Sequence, residues 1–499
     1  MPSMSNTASF CFITAFAFFS KVLKNFMISR FQVSSSPAFD RGVRLAYRNS
    51  IMTSPLPSRP ATAVLLAAGL GTRMKSSRPK AMQRLAGRPM LAHLIANAAD
   101  VFDRLVVVIG PEMEDVAELA APYPVVVQHE RLGTAHAALQ AEAYFGEGDV
   151  AVLYADNPLI SAETLNRLLE ERRSPDVGLA LLAMRPKEPG RYGRVVAQDG
   201  NVDRIVEWAD ATPEERAIDL CNAGVLCADA DTFRTWLKAV KNENAKGEYY
   251  LTDVVDLAVA DGVRVRAVEA AEDELRGINS RVELAEAEAA LQNRLRTKAM
   301  ENGVTLVAPE TVFLCADTEL EPDVLVEPHV VFGPGVTVRS GAEIRAFSHL
   351  EGCEVQANAL IGPYARLRPG ADIGVGAHIG NFVEVKNTTV GDGAKANHLT
   401  YLGDADIGAR TNVGAGTITC NYDGFFKHRT LIGDNVFVGS NAILVAPVSI
   451  GTNAMIAAGS TITKDVPENA LAFGRSRQVS KPELGRHFKE TLKARKENG

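Results

Sequence analysis

Residues 355–385 read VQANALIGPYARLRPGADIGVGAHIGNFVEV, and in this stretch Val355, Ile361, Leu367, Ile373, Ile379 and Val385 recur every six residues. Glycine follows Ile361, Ile373 and Ile379. Neither the 3.6-residue turn of an α-helix nor the alternation of an ordinary strand yields a period of six. Short strands that each send one aliphatic residue inward, joined by corners of small residues, do yield it. The register returns at Ile432, Val438, Leu444, Ile450, Ile456 and Ile462, with glycine after Ile432, Val438 and Ile450. The pattern predicts a left-handed parallel β-helix of hexapeptide repeats over 303–480, with about ten coils of about 18 residues each.

The repeat breaks in three places. Val385 to Val390 and Leu402 to Ile407 are steps of five, and Val413 to Ile432 spans 19 residues, one more than three repeats. The last gap contains Cys420-Asn421-Tyr422-Asp423-Gly424, a polar and aromatic loop inside a regular solenoid. Such irregularities either carry binding function or are neutral insertions.

Upstream, the apolar runs 63–67, 105–109, 125–127 and 150–154 are separated by amphipathic segments of helix length. This is the sequence form of a Rossmann-like, largely parallel α/β sheet, here assigned to 61–278. Residues 279–302 are rich in Ala, Glu, Leu and Arg and lack Gly and Pro, which predicts one long exposed helix linking the two parts. Residues 481–499 form a tail. The chain of 499 residues is 46% hydrophobic and 23% charged, a globular composition with room for two or three domains. Its net charge of −7 gives no bulk electrostatic case for nucleic acid or an anionic membrane as partner. Six cysteines without C-x-x-C spacing point to neither a disulfide framework nor a metal cluster, so a reducing cytoplasm is expected.

Residues 1–60 read as an extension outside the fold. The apolar run 10–19 is about half a membrane span, and after it Lys21, Lys24, Arg30, Arg41, Arg44 and Arg48 face the single acid Asp40. Two readings stand open: an acid-poor presequence of transit type, or a start of translation at Met52.

The first strand runs into Leu66-Ala67-Ala68-Gly69-Leu70-Gly71-Thr72-Arg73-Met74, followed by Arg78-Pro79-Lys80. A glycine-rich turn there lets backbone N–H groups approach phosphates, and Arg73 and Lys80 bring the positive charge that a triphosphate needs. It is neither a Walker A loop nor a G-x-G-x-x-G fingerprint. Downstream, Gln128-His129-Glu130-Arg131-Leu132-Gly133-Thr134-Ala135-His136 offers an amide able to read a base edge. Tyr154-Ala155-Asp156-Asn157-Pro158 ends a strand with a carboxylate; taken alone, an Asp there is as well a cap or turn residue.

Together these strings resemble the signature of sugar-nucleotide pyrophosphorylases, which join a sugar 1-phosphate to a nucleoside triphosphate. The resemblance implies that Leu66, Ala67, Ala68, Gly69, Lys80, Gln128, Gly133, Thr134, Tyr154, Ala155 and Asp156 hold UTP, with Arg73 and Lys80 catalytic. It implies that Gly193, Glu207 and Asn222 hold the sugar, and that Asp156 and Asn279 ligate Mg²⁺. Ala155 and Ala223 stand where the family commonly has Gly and Thr.

Farther on come Arg366-Leu367-Arg368-Pro369-Gly370, Asn381-Phe382-Val383-Glu384-Val385-Lys386, Asn397-His398-Leu399-Thr400-Tyr401-Leu402-Gly403-Asp404 and 414–424, in that order. A pyrophosphorylase followed by these motifs on a hexapeptide solenoid resembles the bacterial bifunctional N-acetylglucosamine-1-phosphate uridylyltransferase / glucosamine-1-phosphate acetyltransferases, over about 61–479. Acetyl transfer to an amine needs a base, and His398 lies where the repeat loses its step. The resemblance makes His398 that base, with Glu384 a candidate to orient it. Arg368, Lys386, Tyr401 and Asn412 would bind the acceptor sugar phosphate. Asn421, Tyr422, Ser440, Ala458 and Arg475 would contact acetyl-CoA, and the Ala415 N–H would face the oxyanion. The substrates implied are glucosamine 1-phosphate, acetyl-CoA and UTP, and the assembly implied is a homotrimer through the β-helix. The rivals are a pyrophosphorylase whose β-helix only regulates, and a β-helix that serves only assembly or sensing.

Overall fold

The computed structural model describes residues 59–244 and 246–498. The expectations for the N-terminal extension up to residue 58 lie outside the described residues. Nine strands form one sheet in the order Val125–Val127, Arg104–Ile109, Ala61–Leu66, Asp149–Tyr154, Cys221–Asp229, Val177–Met184, Arg264–Glu269, Asn201–Val206 and Arg194–Gln198. Ala61–Leu66 is buried from end to end. Ala63 and Leu65 enter one hydrophobic core, Val64 and Leu66 the other, as a strand covered on both faces requires.

Ala61–Leu66 pairs in parallel with Arg104–Ile109 on one side and Asp149–Tyr154 on the other. The strand order therefore reverses beside it. Ligands of open α/β sheets bind outside the carboxyl ends of strands at such a reversal. Leu66 and Tyr154, the last residues of their strands, are register partners at that place.

The helix Arg281–Glu301 is capped by Ser280, whose hydroxyl accepts from the Glu283 N–H. The sequence led us to expect an exposed helix, but Leu291, Gln292 and Arg296 are buried. The Gln292 amide donates to Leu314 O at 2.7 Å and accepts from Leu314 N–H at 2.9 Å, and Arg296 donates to Val312 O at 3.2 Å. Two polar side chains on one helical face thus satisfy backbone groups of the first solenoid coil that have no strand before them.

From Thr305 the chain winds through three parallel sheets of ten, eight and eight strands. All twelve aliphatic residues of the two six-residue series are buried. The longest gap differs from its expected reading. Thr419 takes the inward place six residues after Val413, at 1% exposure, and the next inward residue is Ile432, thirteen further on. One normal step is followed by a step lengthened by seven residues. The extra chain forms a loop at 421–429, closed by a bridge between Tyr422 and Lys427. Among the described residues no helix is long and apolar enough to cross a membrane.

Candidate active sites

At the carboxyl end of the parallel strands, one cleft is lined by Leu66, Ala67, Ala68, Gly69, Lys80, Gln128, Gly133, Thr134, Tyr154, Ala155 and Asp156. The loop after Ala61–Leu66 runs at φ +64° at Gly71, where a Cβ would stand 2.6 Å from the Lys80 Cβ. Glycine there lets Lys80 pack against the loop and turn its amine into the cleft. Lys80 Nζ donates to Asp156 Oδ2 and, at 2.7 Å, to Asn279 Oδ1. Arg73 donates to the same Asn279 Oδ1 at 2.9 Å. Two hard oxygens and two cations, from three distant stretches of the sequence, thus meet at one place.

Gln128 donates to Gly133 O at 3.1 Å and lies 3.1 Å from His136 Nδ1, while the Thr134 hydroxyl accepts from Leu251 N–H. These contacts fix the rim of the cleft. Tyr154 is pushed above the usual tyrosine range by burial, so its hydroxyl stays neutral.

A second cleft shares Thr134, Tyr154 and Asp156 with the first and is lined further by Gly193, Glu207, Asn222 and Asn279. The two are one continuous groove through Asp156. Burial raises the Glu207 carboxyl above its ordinary range, partly offset by the Thr252 hydroxyl, which donates to it at 3.2 Å. Asn222 Oδ1 accepts from Gly224 N–H at 2.9 Å, which leaves its NH₂ free to turn to the groove. Ala223 lines the groove without a hydroxyl.

The second constellation lies on one corner of the β-helix. Leu399 N–H donates to Asn381 O, Gly416 N–H to His398 O, Asn441 N–H to Ala415 O, and Gly459 N–H to Ser440 O. This recurrent bond puts Asn381, His398, Ala415 and Ser440 in equivalent places on successive coils, with Ala458 in the next. The residue after each has positive φ: Phe382, Leu399, Gly416, Asn441 and Gly459. Coils stack at about 4.8 Å, so His398 to Ala458 is a run of roughly 14 Å along the corner.

On the adjacent face Glu384 and Tyr401 are register partners, as are Lys386 and Gly403. A Cβ on Gly403 would meet the Tyr401 hydroxyl at 2.4 Å, so the missing side chain is what lets that ring lie flat. Arg368 donates to Glu384 at 2.7 Å. Glu384 is thereby occupied by Arg368, and the group on His398 Nδ1 is Asn381 Oδ1, at 2.9 Å. Asn412 occupies the strand next to that of His398. Asn421 is buried and donates to Asp404, whose other oxygen accepts from Asn387. Tyr422 is exposed on the loop, and Arg475 follows Gly474 at the last coil.

Residues 63–220 match the MobA-like NTP transferase domain, and 429–464 match the bacterial transferase hexapeptide of six repeats. A 455-residue stretch is 70% identical to the bifunctional protein GlmU of Gluconacetobacter diazotrophicus, covering 90% of this chain and 99% of that one. The chain belongs to the GlmU family. The GlmU proteins of Gluconobacter oxydans and Rhodospirillum rubrum are 65% identical over 438 residues and 57% over 435. These matches cover 88% and 86% of this chain and 98% of each relative.

Within this GlmU-family chain the structure adds residues that the motifs did not single out. Arg131 donates to Ala68 O at 3.0 Å and so ties the loop after Val125–Val127 to the loop after Ala61–Leu66. The Tyr192 hydroxyl accepts from Gly277 N–H, and Lys246 brings a cation to the part of the groove lined by Gly193, Glu207 and Asn222. Arg131 lies within the 128–136 motif and Tyr192 next to Gly193, but their roles depend on partners 63 and 85 residues away. No local spacing announces that.

Proposed function

We propose that this chain makes UDP-N-acetylglucosamine by two reactions at two separate sites. The β-helix corner transfers an acetyl group from acetyl-CoA to the amine of glucosamine 1-phosphate. The α/β groove then joins N-acetylglucosamine 1-phosphate to UMP drawn from UTP, releasing pyrophosphate. The observation that carries this reading is the pair of distinct constellations: Lys80, Arg73, Asp156 and Asn279 at the strand-order reversal, and His398 in the corner row.

In acetyl transfer the amine attacks the thioester carbonyl while His398 Nε2 accepts its proton. The Ala415 N–H, one coil on, faces the developing oxyanion. The tetrahedral intermediate then collapses, and the CoA sulfur leaves and takes a proton back. Arg368 and Lys386 suit a phosphate dianion, with Tyr401 and Asn412 beside them. Ser440 and Ala458 continue the corner as a track for the long CoA chain, with Asn421, Tyr422 and Arg475 as further contacts.

In uridylyl transfer a phosphate oxygen of the sugar attacks the α-phosphorus of UTP in line. Arg73 and Lys80 neutralise charge that builds on the leaving pyrophosphate, and the groove aligns the two substrates. Gln128, Gly133 and Thr134 hold the uracil edge, and Gly193, Glu207 and Asn222 the sugar. Asp156 Oδ2 and Asn279 Oδ1 converge on one ammonium, a donor set of two hard oxygens that also fits Mg²⁺. When bound there, Mg²⁺ supplies charge neutralisation to the phosphates.

The reading includes a homotrimer in the cytoplasm. His329, Phe347, Tyr364 and Phe382 stack at 4.9–5.3 Å along the solenoid, and Phe347, Tyr364, Phe382 and Leu399 are exposed. This apolar ridge runs up to His398 itself, so a second copy packed against it would complete the groove. Light scattering of the active enzyme tests the assembly: three chains of 53.6 kDa are expected, and an active monomer refutes it. Acetyl-CoA consumption with glucosamine 1-phosphate tests the first reaction.

A further inference from the structure

A histidine that is to accept a proton needs a defined tautomer, and the group on His398 Nδ1 is an amide. Asn381 Oδ1 lies 2.9 Å from it. An amide oxygen only accepts, so this bond keeps the proton on Nδ1 and leaves the lone pair on Nε2. The amide is itself held in place by the solenoid. Asn381 and His398 are register partners on neighbouring parallel strands, and Leu399 N–H donates to Asn381 O at 3.1 Å. Beside them a Cβ on Gly380 would stand 2.0 Å from Asn397 O, so the two strands approach closely there because position 380 has no side chain. The nearby carboxylate, Glu384, is taken by Arg368.

We propose that Asn381 is a positioning residue for acetyl transfer, aiming His398 Nε2 at the amine with a neutral dipole instead of a carboxylate. The proposal rests on His398 being the general base. A carboxylate partner would fix the same tautomer but also stabilise the imidazolium; the amide does only the first. His378, on the strand of Asn381, is held below the usual histidine range by burial and then by Arg345 and Lys395, so it adds no charge near neutrality. Lys395 lies at the far end of the His398 strand, and the strand beyond, Asn412–Val413, brings no titratable group.

The test uses the full chain with Asn381→Ala and Asn381→Asp, following acetylation of glucosamine 1-phosphate against pH and uridylyl transfer in parallel. In Asn381→Ala the acetylation kcat falls about tenfold to a hundredfold, the scale seen when a partner that orients a metal-bound imidazole is removed, while KM for glucosamine 1-phosphate and uridylyl transfer stay at wild type. Asn381→Asp recovers part of that loss at high pH, and the acid limb of its kcat/KM profile moves upward. An Asn381→Ala enzyme with wild-type kcat, or an Asn381→Asp enzyme whose acid limb stays in place, overturns the proposal. Acetylation that survives in His398→Ala overturns the base assignment instead, which separates the two failures.

Discussion

Replacing Gly133 with alanine strikes the nucleotide cleft through the backbone alone. Gly133 sits at φ +129°, and a Cβ there would stand 2.4 Å from Tyr249 O and 2.6 Å from Tyr249 N. Neither atom yields cheaply. Tyr249 N–H donates to Leu132 O at 2.8 Å, and Tyr249 O accepts from Ala135 N–H at 3.0 Å. A methyl group therefore forces the 132–135 segment away from Tyr249. Gly133 O moves with it, and the Gln128 amide that donates to this oxygen loses its anchor. Holding a non-glycine residue in such a conformation costs about 1–3 kcal/mol. Taken wholly from nucleotide binding, that is about 5- to 150-fold in affinity for UTP. Steady-state kinetics with UTP varied, on the purified Gly133→Ala enzyme, should show KM raised within that range and acetylation unaltered. A UTP KM within twofold of wild type, with an unchanged melting temperature, would mean that the 132–135 segment takes up the methyl group without moving Gly133 O.

Lys80→Ala should lower uridylyl transfer by about 10²- to 10³-fold, the usual effect of removing one group that stabilises transition-state charge, and leave acetylation intact; a retained kcat would move the site. Leu367→Ala removes a fully buried solenoid residue and should destabilise the β-helix by about 2–5 kcal/mol, so that acetylation is lost at a lower urea concentration than uridylyl transfer. Asp253 is raised to about 6, first by burial and then by Asp256, Glu207 and Asp210. The folded state thus holds a proton that the unfolded chain releases, and stability should fall as pH rises from about 4 to 6. Asp253→Asn should flatten that slope in urea midpoints measured across the window; an equal slope in both proteins would remove Asp253 as its cause.

Much of this was legible in the sequence, for reasons that differ between the two halves. A solenoid writes its geometry into a fixed step, so the inward residues of the two six-residue series, Val355 to Val385 and Ile432 to Ile462, could be named from spacing alone, whereas Thr419 in the irregular gap could not. The α/β groove was legible because its loops follow strands directly, which keeps Leu66 to Gly69 and Tyr154 to Asp156 contiguous. Pairwise contacts between coils were not legible. Glu384 stood close to His398 in sequence, yet strand register gives His398 to Asn381 and leaves Glu384 to Arg368. The helix Arg281–Glu301 looked exposed because its composition is that of a solvated helix. Gln292 and Arg296 are buried there for their hydrogen bonds, which composition does not reveal.

Whether one chain carries two independent sites acting in sequence can be decided in a single-vessel experiment. The enzyme is incubated with glucosamine 1-phosphate, acetyl-CoA, UTP and Mg²⁺, and the nucleotide sugars are identified by mass. Wild type should yield UDP-N-acetylglucosamine. His398→Ala should yield none from glucosamine 1-phosphate but the normal amount when N-acetylglucosamine 1-phosphate is supplied instead. Full product from glucosamine 1-phosphate with His398→Ala would show that His398 is not the acetyl-transfer base, and none from either sugar that the two sites are not independent.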